Sequence, residues 1–142
     1  MENQIQKKLA LKMKLNKIDQ SGIVAPILLN ELLLKNGYPE SKLVQGYTSL
    51  SDETCWHVWV ETPTSRLDIG YTIACLRDKE FEKCTMILHT GLAPGSKPPQ
   101  VDTETTDMWD LYKEDHKEFW KKQPVRIQNF RAKVLKEKVW SS

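Results

Sequence analysis

Residues 23–34 constrain the fold more than any other part of the chain, because they are apolar on every side of a helix. Only Asn30 and Glu31 among these twelve residues are polar. A helix that is hydrophobic all round belongs in the middle of a domain or in a membrane. This stretch is shorter than the ~20 residues that span a bilayer. The sequence therefore predicts a buried helix over residues 21–36.

The ends of this helix carry their own signals. Ser21 is a residue type that favours the N-cap position, and Gly37 stands where a helix C-terminal glycine is expected. Pro26 removes one backbone donor. We therefore expect regular helix to begin close to Pro26, or the first turn to be distorted.

Charge and cysteine content limit the classes of protein that fit. Lys and Arg number 21 against 19 Asp and Glu, a net charge of +2, whereas a nucleic-acid binder usually has clustered basic residues and a pI above ~9. Cys55, Cys75 and Cys84 are an odd number without a CxxC pair. They favour free thiols in a reducing compartment. We expect one soluble, cytoplasmic domain, residues 1–142, with no transmembrane segment and no nucleic-acid partner.

The remaining pattern predicts an α+β fold with an antiparallel sheet. A basic amphipathic helix fits residues 1–18. The Pro-rich residues 91–101 form a loop, and helices follow over residues 103–123 and from Pro124 onwards. Strands are predicted at residues 42–47, 54–61, 66–71 (with an extension to Cys75 open) and 83–89. The order of helices, strands and helices is typical of α+β proteins.

A predicted hairpin between the second and third strands brings a histidine to a carboxylate. A loop centred between Thr62 and Pro63 makes His57 face Asp68, and opposed residues have Cβ atoms ~4.5–5.5 Å apart. The pleat supports this register, because one face is then mostly apolar and the other mixed. The apolar face would carry Trp56, Val58, Val60, Leu67, Ile69 and Tyr71, and the mixed face Cys55, His57, Trp59, Glu61, Arg66, Asp68 and Gly70.

A His–carboxylate pair needs a nucleophile and backbone donors before it indicates catalysis. The start of a buried helix has unpaired N–H groups, and Gln20, Ser21 and Gly22 lie there. Without such a third group, the pair is a structural hydrogen bond. No metal or nucleotide cofactor is implied.

These elements resemble the core of the transglutaminase-like branch of the papain-like cysteine enzyme superfamily, over about 50 residues. The family pattern has a Cys at the start of a buried Leu-rich helix, then Gly-x-Pro, Val-x-Gly-Tyr, His-x-Trp-x-Glu and Leu-Asp elements. The matching residues are Gln20–Ser21–Gly22, Leu28–Leu29, Leu32–Leu33, Gly37–Tyr38–Pro39, Val44–Gln45–Gly46–Tyr47, His57–Val58–Trp59–Val60–Glu61 and Leu67–Asp68.

The resemblance implies acyl transfer through a covalent acyl-enzyme, on a peptide, amide or acyl-thioester substrate. It implies Ser21, His57 and Asp68 as catalytic residues, with Gln20, Gly22 and Trp59 around the oxyanion and substrate. Trp59 is expected to pack over the His–Asp pair, and Glu61 to end its strand in solvent.

The departure from the family is at the nucleophile, where Ser21 replaces cysteine. A cysteine beside His at a helix N-terminus ionises near neutral pH, whereas serine needs a general base as it attacks. Three explanations stay open: an engineered inactivating substitution, a natural pseudoenzyme, or a working Ser–His–Asp triad. The alternative function is a non-catalytic protein-binding module of the same fold.

Overall fold

The computed structural model describes residues 1–19, 22–50, 53–84, 86–92, 99, 101–138 and 140, and of Leu50 and Glu53 the backbone alone. Within these residues it is an α+β protein with six α-helices, one short 3₁₀ helix and four strands. The chain divides into two compact units, Met1–Val101 and Asp102–Ser142. That the two constitute one domain stays a prediction.

The first unit is built around the predicted apolar helix. Helix α1 spans Glu2–Leu15 and helix α2 spans Val24–Lys35. Nine of the twelve α2 residues are buried, and α2 packs against α1 and against the first two strands. The predicted buried helix on an antiparallel sheet is therefore confirmed.

The C-terminal end of α2 is as predicted, whereas the expected N-cap at Ser21 is wrong. The helix begins three residues after Ser21, with Ile23 at the N-cap and Pro26 in the first turn, where a missing N–H costs little. At the other end Gly37 has a φ of +96°, and the N–H of Tyr38 donates to Leu33 O at 3.0 Å. This is the glycine-dependent C-terminal motif that the sequence predicts.

The sheet has the strand order β3-β2-β1-β4, and all neighbours are antiparallel. Its strands are β1 (Lys42–Leu50), β2 (Glu53–Glu61), β3 (Arg66–Leu67) and β4 (Ile87–His89). Strands β1 and β2 are longer than predicted because their pairing continues to Leu50 and Glu53. Strand β4 is shorter than predicted: Lys83 ends a 3₁₀ helix (Lys79–Lys83), and Cys84 and Met86 lie outside the strand.

The predicted third strand is wrong beyond Leu67. Asp68 is the N-cap of helix α3 (Ile69–Arg77), and its Oδ1 accepts the N–H of Tyr71 at 3.2 Å. A short apolar run fits either a strand or a helix by pattern alone, and here the capping carboxylate favours the helix. The Tyr71 hydroxyl lies 2.9 Å from both Phe81 O and Cys84 O, which share its single proton, and it ties α3 to the 3₁₀ helix.

The second unit consists of helices α4 (Thr103–Glu114), α5 (His116–Lys121) and α6 (Val125–Lys136). The prediction of two C-terminal helices is wrong because residues 103–123 are not one helix. Helix α4 ends at Glu114, and the carboxylate of Asp115 caps α5 by accepting the N–H of Glu118 at 3.1 Å. Pro124 lies at the N-cap of α6, one position before its expected place.

No helix in the described part of the chain is long and apolar enough to cross a membrane.

Candidate active site

His57 and Asp68 meet as predicted. His57 Nε2 lies 2.7 Å from Asp68 Oδ1, and the side chains are 17% and 11% exposed. A carboxylate oxygen accepts, so the ring N–H at Nε2 donates. The short distance is typical of a charge-assisted hydrogen bond. The predicted contact within ~3.5 Å is confirmed.

The strand register that brings the two residues together differs from the predicted one. Val60 pairs with Leu67 and Glu61 with Arg66, so the register is displaced by two residues from a loop centred at Thr62 and Pro63. The turn instead closes by mutual backbone bonds between Thr62 and Ser65, at 2.9 and 3.4 Å. A displacement of two residues keeps the paired residues, Arg66 and Leu67 included, on their predicted faces, whereas residues 69–71 belong to α3 and lie on neither face. His57 therefore reaches Asp68 diagonally.

One carboxylate oxygen of Asp68 accepts two hydrogen bonds. Its Oδ1 accepts from His57 and from the N–H of Tyr71 at the start of α3. The helix cap thus fixes the carboxylate that orients the imidazole. Asp68 Oδ2 is buried and has no hydrogen-bond partner among the described residues, which include neither Gln20 nor Ser21.

The ring of His57 has a defined orientation. Because Nε2 is bonded to Asp68, Nδ1 is the nitrogen that remains for a nucleophile or a substrate proton. The ring also stacks beside Trp59, with centroids 6.2 Å apart and an interplanar angle of 27°. The imidazole is therefore held from two sides.

Trp59 is fully buried and packs on His57, in agreement with the expected packing role. Its Nε1 donates to Glu61 Oε1 at 3.3 Å. Its ring exposes no surface to a substrate in this structure. The expectation that Glu61 ends its strand in solvent is wrong. Its side chain is 18% exposed and forms a 2.8 Å ion pair with Arg66.

Gly46 is a site residue that the sequence analysis did not explain. It pairs with His57 across β1 and β2, and a Cβ built on it would collide with Trp59 Cη2 and with His89 O. Only glycine leaves room for the indole at this position. The Val-x-Gly-Tyr and His-x-Trp elements are thus complementary parts of one packed layer.

The nucleophile position lies outside the described residues, since these leave out both Gln20 and Ser21. Gly22 is described and exposed. Pro26 has no N–H, and the N–H of Ile27 donates to Ile23 O at 3.2 Å. A backbone donor for an oxyanion at this end of α2 would therefore have to precede Pro26.

Arg77 holds the chain just before the nucleophile position. From α3, its Nη2 donates to Ile18 O at 3.2 Å and to Asp19 Oδ1 at 2.8 Å. No motif in the sequence singles out Arg77. Its position depends on α3 being a helix, whereas the sequence predicts a strand over residues 66–71, with an extension to Cys75 open.

The other cysteines and histidines have ordinary surroundings. Cys55, Cys75 and Cys84 are free and partly exposed. His89 Nε2 lies 3.1 Å from Ser49 Oγ, and His116 stacks on Tyr112 with centroids 4.0 Å apart. The described residues contain no group of three or more His, Cys, Asp or Glu that could hold a metal ion.

Comparison with protein-family models, curated proteins and solved structures finds no match to this chain. The resemblance to the transglutaminase-like enzymes therefore stays a prediction based on the motifs.

Proposed function

We propose that this chain is an acyl-transfer enzyme of the cysteine protease and transglutaminase-like type, with Ser21 in the position of the nucleophile. The observation that carries the proposal is the 2.7 Å hydrogen bond between His57 Nε2 and Asp68 Oδ1. It leaves the other ring nitrogen for a nucleophile, in a nearly buried setting where an ion pair is less screened by water.

The reaction proceeds through a covalent acyl-enzyme. His57 Nδ1 takes the proton from the residue 21 side chain as its oxygen or sulfur bonds to the substrate carbonyl carbon. Asp68 stabilises the imidazolium that forms. Collapse of the tetrahedral intermediate breaks the bond to the amine or thiol, which leaves with the proton from His57. Water or a second amine then releases the acyl group by the same steps in reverse order.

The oxyanion of the intermediate is held by backbone N–H groups at the start of α2. A helix N-terminus carries partial positive charge, and the donors of α2 for an oxyanion would be backbone N–H groups that precede Pro26. Removing one such donor in other acyl-transfer enzymes costs about 10²–10³-fold in kcat. Arg77 contributes by holding Ile18 and Asp19, from which the chain continues to residue 21.

The residue at position 21 determines the reactivity. With a cysteine there, the imidazolium and the helix N-terminus both stabilise a thiolate. A serine hydroxyl does not ionise and depends on His57 to remove its proton during attack. We therefore expect the present chain to be slow or inactive and a Ser21→Cys variant to be active.

A direct test is capture of the acyl-enzyme. Ser21→Cys would be mixed with the activated ester p-nitrophenyl acetate and analysed by intact-mass and peptide mass spectrometry. We expect one acetyl group on residue 21 and a burst of p-nitrophenol. The double variant with His57→Ala should show neither, and Cys55, Cys75 and Cys84 serve as internal controls. Acetylation spread equally over all four cysteines would contradict the proposal.

The alternative is a non-catalytic module that keeps the fold and binds a protein partner. The residue that favours it is Ser21 itself, because a pseudoenzyme has no need of the cysteine. An unreactive Ser21→Cys variant with an intact fold would favour this alternative.

A further inference from the structure

The second unit contains a cavity of about 320 Å³ on helices α5 and α6. Four of its six lining side chains can carry positive charge, and none is acidic. The lining residues are His116, Lys117, Trp120, Lys121, Gln128 and Arg131. The volume lies at the lower end of the ~300–1,000 Å³ that small-molecule sites occupy.

The charge around this cavity follows from the distribution of charge along the second unit. Seven of the eight Asp and Glu residues of 102–142 precede residue 119, whereas seven of the nine Lys and Arg residues follow it. Five of these acidic residues belong to α4 or its N-cap and two, Asp115 and Glu118, to the start of α5, whereas the basic residues follow from the end of α5 through α6. A cavity on α5 and α6 consequently has a cationic lining.

Two of the lining side chains are fixed before any ligand binds. The guanidinium of Arg131 lies over the ring of Trp120, with Cζ 4.4 Å from the ring centroid. Gln128 Nε2 donates to Gln123 O at 2.8 Å and to Lys121 O at 3.2 Å. Side chains that are already ordered lose less conformational entropy when a ligand binds. Both amide hydrogens of Gln128 are already bonded, so this residue shapes the cavity and does not donate to the ligand.

Two further features point to a missing partner. Neither Lys117 nor Lys121 forms an ion pair within the described residues. Trp120 is 6% exposed, and its Nε1 has no hydrogen-bond partner in the part of the chain that the structure describes. Buried polar groups are rarely left unpaired, so the indole N–H of Trp120 lacks an expected partner among the described residues.

We propose that this cavity binds a phosphate dianion, either free phosphate or a phosphate monoester. Lysine ammonium groups bind phosphate as point charges, and the arginine fork matches two phosphate oxygens. Several cations around one small cavity suit a group that carries about −1.5 to −2 charges at neutral pH. The site is independent of the His57–Asp68 pair, so either proposal can fail without the other.

The test is calorimetric titration of the full chain at constant ionic strength, with inorganic phosphate and with O-phosphoserine as separate probes. We expect saturable binding of one anion per chain. Tighter binding of O-phosphoserine would indicate a phosphorylated side chain as the source, and tighter binding of phosphate a free anion. Succinate, a dicarboxylate of similar charge, should bind at least about tenfold more weakly, because its two charges are far apart.

Lys121→Gln and Arg131→Gln should each weaken binding by about tenfold or more, since each removes a charge-assisted contact. Lys122→Gln is the matched control. It removes the same charge from the next residue along the chain, whose side chain does not line the cavity. Arg131→Lys keeps the charge and loses the fork, and it should bind less tightly than the parent chain. Absence of saturable binding, or an equal loss with Lys122→Gln, would overturn the proposal.

Discussion

The indole of Trp59 occupies the space in front of Gly46 that a side chain would otherwise fill. A Cβ on Gly46 would overlap the ring and would also meet the backbone oxygen of His89 in the neighbouring strand. Gly46 lies directly opposite His57 in the β1–β2 pair. The glycine, the tryptophan and the histidine therefore form one packed layer, which holds the imidazole in place.

Gly46→Ala should destabilise the fold, because the added Cβ would overlap the buried ring of Trp59 and the backbone oxygen of His89. Neither the ring nor the backbone moves freely. Overpacking of this kind costs typically about 1–3 kcal/mol. The measurement is urea denaturation followed by tryptophan fluorescence. Gly91→Ala is the control, since a Cβ there meets nothing within 4 Å. Equal free energies of unfolding for the two variants would show that Trp59 does not lie against Gly46.

Asp68 has a structural and a chemical role that two substitutions separate. Asp68→Asn keeps an oxygen for the N–H of Tyr71, because asparagine is also a good N-cap residue. Asp68→Ala loses the cap and should cost about 1 kcal/mol or more in the free energy of unfolding. In the Ser21→Cys background, both substitutions should slow alkylation of residue 21 to a similar degree, since both remove the charge that stabilises the imidazolium.

The readouts for Asp68 are urea denaturation and peptide mass spectrometry. An Asp68→Asn variant that is nearly as stable as the parent but has lost its reactivity would support the chemical role. If reactivity followed stability alone across the two variants, Asp68 would be only a helix cap.

Glu2 gives the first unit a pH-dependent contact. Hydrogen bonds from Thr64 Oγ1 at 2.6 Å and Thr62 Oγ1 at 2.9 Å join α1 to the β2–β3 turn. The Thr64 hydrogen bond is the largest cause that lowers the pKa of Glu2 from 4.5 to about 2, and the backbone N–H of Glu2 and the Thr62 hydroxyl contribute further. A lowered folded-state pKa adds stability above the unfolded value, and this stability is lost as the pH falls from about 4.5 to about 2.

Glu2→Gln should therefore be less stable than the parent chain at pH 7, and the difference should shrink as the pH is lowered through this range. Urea denaturation at a series of pH values measures it. The same substitution in a Thr64→Ala background should have a smaller effect, because the main donor is already gone. A difference that stays constant with pH would mean that the Glu2 carboxylate is not bound by these hydroxyls.

The sequence predicted the buried helix because residues 23–34 leave no polar face on a helix. Only the interior of the domain removes such a helix from water. It predicted the His57–Asp68 contact because alternation along β2 limits which side chains can share a face. A displacement of two residues preserves that alternation, so the contact was correct although the pairing of Val60 with Ser65 was not.

The features that the sequence did not predict depend on single local contacts, each of which contributes little free energy. Residues 69–76 are mostly apolar and partly β-branched, and the capping hydrogen bond from Tyr71 N to Asp68 Oδ1 distinguishes helix from strand there. Asp115 interrupts the helix expected over residues 103–123 in the same way. The role of Gly46 could not be read from the sequence, because it depends on which ring lies over it.

The central claim, that His57 activates residue 21, is tested most directly by the alkylation rate of a thiol at that position. Ser21→Cys and Ser21→Cys/His57→Ala would be treated with iodoacetamide near neutral pH, and labelled peptides would be compared at equal reagent and time. Cys55, Cys75 and Cys84 report reagent access in the same molecule. We predict that Cys at position 21 labels faster than these three and that His57→Ala slows it by at least about tenfold, because the imidazolium stabilises the thiolate. A thiol that labels no faster than an unperturbed one of pKa ~8.5, with no effect of His57→Ala, would contradict the claim.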